Sequence, residues 1–295
     1  MPIAHQFEYE KPVSINEVVE LLAQYGEKAK ILAGGTDLTV QIKEDHIAPD
    51  FVIDIKGISE LKESKFAGNK LFIGANVTFA EIIKSDVVKQ NFRLLWEASE
   101  TVASVGVRNV ATVAGNICSA VPSLDSAPAL LAYDAEIHVK SKSGERTIAI
   151  KDWFLGVKKT AIKVDELLTG ITLTLPEGKS ASCYKKLGRY SGEDLAQAGL
   201  GVVALENNNY RVAFCAVAPT PSRAVKTEEF LAGKELTEDV IKEAQNIIAT
   251  EISPITDIRA SKEYRTHMIK IMLERALKEA VALLNGEDVK SKPII

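Results

Sequence analysis

Two turns of small residues hold the most legible chemistry in this chain: Leu32-Ala33-Gly34-Gly35-Thr36-Asp37-Leu38 and Thr112-Val113-Ala114-Gly115-Asn116-Ile117. Each follows apolar residues and offers a run of backbone N–H groups with little side-chain bulk over it. Glycine adopts the dihedrals of a tight turn and leaves room for an anion to approach the backbone. The hydroxyls of Thr36 and Thr112 add donors. Two such turns point to one pyrophosphate gripped from both sides. A single-nucleotide Rossmann site would instead show G-x-G-x-x-G after the first strand. Here Gly34 and Gly35 are adjacent and no third glycine follows at that spacing, although Asp54 stands near the position of a ribose-binding acid. That reading leaves the second turn without a role. The remaining alternative is that both turns are tight connections binding nothing. Against it stands the segment from Thr112 to Pro128, with Asn116, Ser119, Ser123, Asp125 and Ser126, which is polar and long for a mere connection.

Other chemistries find little support. The three cysteines, Cys118, Cys183 and Cys215, are scattered and form no C-x-x-C pair, so no zinc or iron–sulfur site is expected from this chain. Cys118 alone sits close to a turn. His5, His46, His138 and His267 share no ligand spacing. The net charge of −4 and the lack of a Lys/Arg run exclude a nucleic-acid surface. No basic leader with an apolar stretch opens the chain and no segment is long enough to span a membrane, so a cytoplasmic protein is expected.

The elements around the turns follow from pattern. Ser14-Ile15-Asn16-Glu17 is a capping box, and Val18, Val19, Leu21 and Leu22 form the apolar side of a helix ending before Gly26. A strand at 30–32 runs into the first turn, helix follows at 38–42 and a strand at 51–55. This is a β-α-β unit whose turn lies at a strand's C-terminal end, where α/β units bind ligands. A hairpin turns at 67–70, and Thr78-Phe79-Ala80-Glu81 is a second capping box. Residues 92–102 are helical, and the second turn is followed by helix 128–132 and strands at 135–139, 147–150 and 166–175. Pro176-Glu177-Gly178-Lys179-Ser180 is the best linker. Beyond it strands are expected at 182–187, 199–205 and 210–217, and helices at 225–231, 239–249 and 262–284.

Taken together, Ala33-Gly34-Gly35-Thr36-Asp37-Leu38, Arg108-Asn109, Thr112-Val113-Ala114-Gly115-Asn116-Ile117, and Ser119, Pro122 and Asp125 resemble the flavin-binding medium subunit of the molybdenum hydroxylases. That family includes carbon monoxide dehydrogenase, bacterial xanthine dehydrogenase, nicotinate dehydrogenase and 4-hydroxybenzoyl-CoA reductase. The likeness continues through Tyr184-Lys185-Lys186-Leu187-Gly188-Arg189 and Thr256-Asp257-Ile258-Arg259-Ala260-Ser261 to Arg265, covering essentially the whole chain. The resemblance implies an α+β protein: a two-subdomain FAD-binding domain of the vanillyl-alcohol-oxidase-like (PCMH) type over 1–176, divided at about 57/58, then a C-terminal domain over 181–290 with a three-stranded antiparallel sheet and three helices. It places FAD on Ile31 through Leu38 and on Thr112, Val113, Ala114, Gly115 and Asn116. Asp125 matches an acid that bonds the adenosine part, Lys185 a lysine near the flavin, and Ala103 and Leu168 backbone contacts to the cofactor. A lysine there would favour anionic reduced flavin electrostatically; a strand-edge surface charge is the alternative. Lys159 reads as a solvated surface lysine. Ala114 replaces a glycine of many relatives, which is compatible if it keeps a negative φ.

The implied function is electron transfer within a three-part enzyme. Molybdenum cofactor belongs to a large partner subunit and 2Fe–2S clusters to a small one, in a dimer of heterotrimers, and the flavin subunit delivers electrons to an external acceptor. No catalytic or metal-ligating residue is assigned to this chain. It carries no inserted Cys-rich loop, which disfavours 4-hydroxybenzoyl-CoA reductase. The alternatives are a free-standing flavoprotein oxidoreductase with its own small-molecule substrate, for which no substrate-facing acid or base stands out, and a scaffold subunit without flavin chemistry. Arg259 and Arg265 suit either a partner salt bridge or, as the favoured reading, a lock with Asp257 on the start of the last helix.

Overall fold

The computed structural model describes residues 3, 5–190, 193–290 and 292–293. The first unit is a small parallel sheet with helices. Strands β1 (Glu8–Glu10), β2 (Ala29–Leu32) and β3 (Phe51–Asp54) lie in the order β1-β3-β2. Helix α1 (Ile15–Tyr25) crosses from β1 to β2, capped by the Ser14 hydroxyl on the Glu17 N–H, with Val18, Val19 and Leu22 buried. Helix α2 (Leu38–Lys43) crosses from β2 to β3. Strand β1 has no signature in the sequence because Glu8-Tyr9-Glu10 carries no apolar alternation; its place is set by pairing with β3.

The second unit is antiparallel. Strands β4 (Ser64–Ala67), β5 (Lys70–Gly74), β6 (Glu136–Ser141) and β7 (Gly144–Ala149) join a later strand, Leu167–Thr174, which lies between β5 and β6. Between β5 and β6 the chain detours through short helices: α3 (Phe79–Lys84), α4 (Asp86–Asn91), α5 (Arg93–Glu100), α6 (Val105–Arg108), α7 (Val113–Ser119) and α8 (Ala127–Ala132). Thr78 forms its capping box with Glu81. The expected irregular stretch after the second turn therefore contains a helix, α7. Gly115, Asn116 and Ser119 mask its buried side of Val113, Ala114 and Ile117, so packing rather than propensity makes it helical. A two-stranded ribbon, β8 (Phe154–Gly156) with β9 (Lys159–Thr160), precedes β10, the Leu167–Thr174 strand.

The third unit is built on β11 (Ser180–Leu187), β12 (Ala198–Leu205) and β13 (Asn209–Cys215), all antiparallel, plus a two-residue strand, β14 (Ser222–Arg223). The C-terminal sheet is thus four-stranded, not three-stranded. Residues 218–223 (Ala-Pro-Thr-Pro-Ser-Arg) carry no alternation, and β14 exists because the chain folds back onto Ala213 and Phe214. Helices α9 (Val225–Leu231), α10 (Glu238–Glu251) and α11 (Lys262–Leu284) follow. Asn207 and Asn208 take left-handed dihedrals (φ 58° and 53°) in the β12–β13 turn, a conformation asparagine tolerates.

This sheet has protein on both faces. Helix α11 packs on one, and α5 and α8 of the second unit pack on the other. The alternation along β11 sorts its side chains accordingly. Ser182 Oγ accepts the Leu94 N–H and meets Tyr133 Oη, and Tyr184 joins the core of the first two units. Cys183 faces α11 and donates to Ala276 O. Glu97, 1% exposed, reinforces the junction by accepting the Tyr184 N–H at 2.8 Å and the Arg93 guanidinium at 2.7 Å.

The start of α11 is locked within its own domain. Arg265 is buried, donating to Gln197 O at 2.6 Å and Asp257 at 2.7 Å, while Asp257 also accepts the N–H groups of Arg259 and Ala260. Burial opposes ionisation of Asp257, but those N–H groups and the Arg265 guanidinium outweigh it and push the carboxyl down to about 2 from an ordinary 3.8. A carboxyl depressed on folding stabilises the native state above its ordinary value and loses that contribution as pH falls through the folded value. Thermal melts should therefore show the C-terminal transition falling steeply from pH 4 to 2. In Asp257→Asn the transition should start lower and vary less over that interval.

Candidate functional site

The first turn leaves β2 at Leu32. Gly35 sits at φ 74°, which a side chain rarely adopts, and its carbonyl accepts the N–H and hydroxyl of Thr39. Among the described residues, the N–H groups of Gly34, Gly35, Thr36 and Asp37 donate to no protein acceptor. The Asp37 carboxylate is exposed. Gly34 is pressed onto the approach to the second turn: a Cβ there would collide with Val110 O and lie 2.7 Å from the Val110 carbonyl carbon and 2.8 Å from Ala111 Cα. The two turns, distant in sequence, are contiguous in space.

The second turn is the start of α7. Thr112 Oγ1 accepts the Gly115 N–H at 2.9 Å, and the Asn116 N–H returns to Thr112 O. The Thr112 hydroxyl proton stays available as a donor. Ala114 lies inside the first helical turn, where a methyl is accommodated. Asn116 Oδ1 accepts from Ser126 Oγ at 2.7 Å, tying the turn to the loop that bears Asp125. Helix α7 also packs against β10, which carries Leu168 at a register shift between Leu168 and Gly170.

Asp125 is buried at the junction with the C-terminal sheet. Its Oδ1 accepts from Tyr184 Oη and its Oδ2 from Lys186 Nζ, both at 2.8 Å. Burial raises the Asp125 carboxyl, against the Lys186 ammonium and Tyr184 hydroxyl that hold its charged form. Burial and then the neighbouring carboxylate push the Tyr184 hydroxyl well up, so it stays protonated and donates.

Lys185 lies on the other face of β11. The period-two alternation of β11 turns it away from the turns and onto α11, where it is 3% exposed and lies 2.6 Å from Glu279. It is therefore buried rather than a strand-edge surface charge. Its neighbour Lys186, 1% exposed, faces the cofactor-domain side. Two adjacent lysines in a strand cannot share a face; counting from Ser182 and Tyr184 puts Lys186 on the side of α5 and α8 and Lys185 on that of α11.

Other sequence candidates fall elsewhere. Asp54 is engaged by Tyr9 Oη and by Lys56 through both its ammonium and its N–H. Lys159 is exposed on β9, and Cys118 is exposed at the end of α7. Two surface hollows, one beside His5, Glu8 and Asp50 and one beside Glu20, Lys140 and Glu145, include no residue of either turn. No cluster suited to a metal ion occurs among the described residues, and no helix among them is long and apolar enough to cross a membrane.

Fold and site together define a two-domain α+β protein, with two glycine turns in contact in the first domain and a second domain that closes over its helices. Residues 5–176 match the family model for the FAD binding domain in molybdopterin dehydrogenase, and residues 182–280 that for the CO dehydrogenase flavoprotein C-terminal domain. The carbon monoxide dehydrogenase medium chain of Hydrogenophaga pseudoflava is 33% identical over 284 residues, spanning 95% of this chain and 99% of that relative. A putative xanthine dehydrogenase FAD-binding subunit of Escherichia coli (strain K12) is 30% identical over 285 residues, covering 95% and 97%. The solved structure of carbon monoxide dehydrogenase from Hydrogenophaga pseudoflava, in the form lacking the Mo-pyranopterin moiety of its cofactor, superposes with a TM-score of 0.91 over 96% of this chain and 99% of that one. The chain belongs to the FAD-binding medium subunits of the molybdenum hydroxylases, and it is an oxidoreductase subunit whose cofactor is FAD.

Proposed function

We propose that the two turns hold the FAD pyrophosphate between them, through the N–H groups of Gly34 to Leu38 and of Ala114 with the Thr36 and Thr112 hydroxyls, while Val113, Gly115 and Asn116, whose N–H groups go to Val77 O and to Thr112, shape the second turn. The supporting observation is the contiguity of the turns at Gly34, with free N–H donors on the first of them. Such donors neutralise a pyrophosphate without a lysine, which suits a site lacking a cation on either turn. Ile31 and Leu32 form the strand end beneath the first turn, and Ala103 and Leu168 supply backbone contacts. Asp125 keeps acceptor capacity on both oxygens for an adenosine donor, since each carboxylate oxygen has two lone pairs. FAD supplies the redox chemistry when bound; the protein binds and orients it and shapes its electrostatics.

Within the complex, the chain receives electrons from iron–sulfur clusters of a small partner subunit, which takes them from a large molybdenum subunit, and passes them to an external acceptor. A dimer of heterotrimers in the cytoplasm is the assembly we assign. The native chain, purified through a tag, should be yellow, release FAD in equal molar amount on denaturation, and bring with it chains containing iron and molybdenum. A colourless product that stays without FAD after reconstitution would overturn the cofactor site. Turnover of a small substrate by the chain alone, with no metal-containing partner, would favour a free-standing flavoprotein instead.

A further inference from the structure

Three consecutive carbonyls beside the second turn all end on cations. Thr101 O accepts from Lys186 Nζ at 2.8 Å, and Val102 O and Ala103 O accept from Arg108 Nη1 at 2.8 and 2.6 Å. The two cations come from different units: Arg108 from the end of α6 and Lys186 from β11 of the C-terminal sheet. Between them Ala103 is held at φ 39°, a left-handed conformation that costs a residue with a Cβ about 1 kcal/mol or more. Such a conformation persists only where the surroundings over-determine it. Charge-assisted hydrogen bonds are about twice as strong as neutral ones, and burial strengthens them further.

The effect of the turn is on the opposite side of the peptide units. The N–H groups of Ala103 and Ser104 donate to no protein acceptor among the described residues. Lys186 also holds Asp125 at 2.8 Å, and through Asn116 and Ser126 the Asp125 loop is tied to the second glycine turn. One ammonium therefore joins the 101–103 segment to the loop of the second turn, and it belongs to the other domain.

We propose that Arg108 and Lys186 are positioning residues of the cofactor site. They draw the carbonyls of residues 101–103 onto cations, fix the left-handed turn at Ala103, and so present the Ala103 and Ser104 N–H groups as donors. Through Lys186 the C-terminal domain governs how tightly and in what geometry FAD is held. This rests on the FAD site proposed above, and the Gly34→Val variant separates the two.

The test is FAD titration of the full-chain apoprotein, with the visible circular dichroism of bound flavin recorded at saturation. Arg108→Met and Lys186→Met should each weaken FAD binding about ten- to a hundredfold, the value of a lost hydrogen bond to a charged group, and should change the flavin dichroism. Arg108→Lys and Lys186→Arg keep a cation in reach and should recover most of both. Arg108 is half-buried at the end of a short helix, so its Met variant decides the matter if Lys186→Met does not fold. Wild-type affinity and dichroism in folded Arg108→Met and Lys186→Met, with FAD lost in Gly34→Val, would overturn the clamp alone. Wild-type affinity in Gly34→Val as well would remove the site on which it rests. Equal losses in the Met and the conservative variants would also count against a positioning role.

Discussion

Gly34→Val is expected to yield a folded chain whose FAD affinity falls far enough that the cofactor is not retained through purification. The cause is contact between the turns rather than any lost side chain. A Cβ at residue 34 meets Val110 O and stands 2.7 Å from the Val110 carbonyl carbon, atoms that belong to backbone and cannot rotate away. One turn must withdraw, which separates the two turns proposed to hold the pyrophosphate. Overpacking of this kind costs about 1–3 kcal/mol, or about ten- to a hundredfold in affinity on that scale. Gly35→Val should behave similarly for a different reason, since φ is 74° there and a β-branched residue opposes it. The C-terminal core, built from β11–β13 and α9–α11, shares no residue with the turns, so its melting transition should persist in both variants. FAD content by absorbance and calorimetric melting check the two halves of this expectation. Full occupancy in both variants would remove the two-turn assignment.

Lys185→Met should destabilise the protein by about 3–5 kcal/mol, the usual cost of breaking a buried ion pair from one side, while leaving the flavin spectrum and FAD affinity unchanged. Lys185 lies 2.6 Å from Glu279, both side chains largely buried between β11 and α11, and it also donates to Lys292 O. Without it Glu279 is left as a buried charge with no cation against it. Replacing both residues with apolar ones of similar size should restore most of the loss, because the pair then disappears together with its desolvation. Chemical denaturation measures the first effect and FAD titration the second. A variant of wild-type stability with altered flavin absorption would return Lys185 to the cofactor.

Much of this was readable from sequence because the signals were local. Ser14 and Thr78 cap helices through side chain and backbone within one turn, and the strands flanking Asn207-Asn208-Asn209 and the last helix follow from short-range periodicity. Strands β1 and β14 were not readable, since neither has a pattern of its own and each is created by a partner distant in the chain. Helix α7 was hidden by the same glycine and polar residues that make its start the proposed binding turn. Local propensity and function disagree there, and packing of Val113, Ala114 and Ile117 decides.

At the site, the residue types that form the turns and the family they belong to were present in the sequence alone. Glycines with adjoining hydroxyls are a property of the backbone at their own positions, and such properties need no fold to be recognised. The side of a strand on which a side chain falls is different, because register with period two is settled only by what the sheet packs against. That put Lys185 and Lys186 on opposite faces, set Asp125 between a tyrosine and a lysine of the other domain, and brought Arg108 and Lys186 onto neighbouring carbonyls. The family resemblance carried by its motifs pointed to a flavin dinucleotide; only the meeting of two domains across β11 determined which charged side chains pair at their junction.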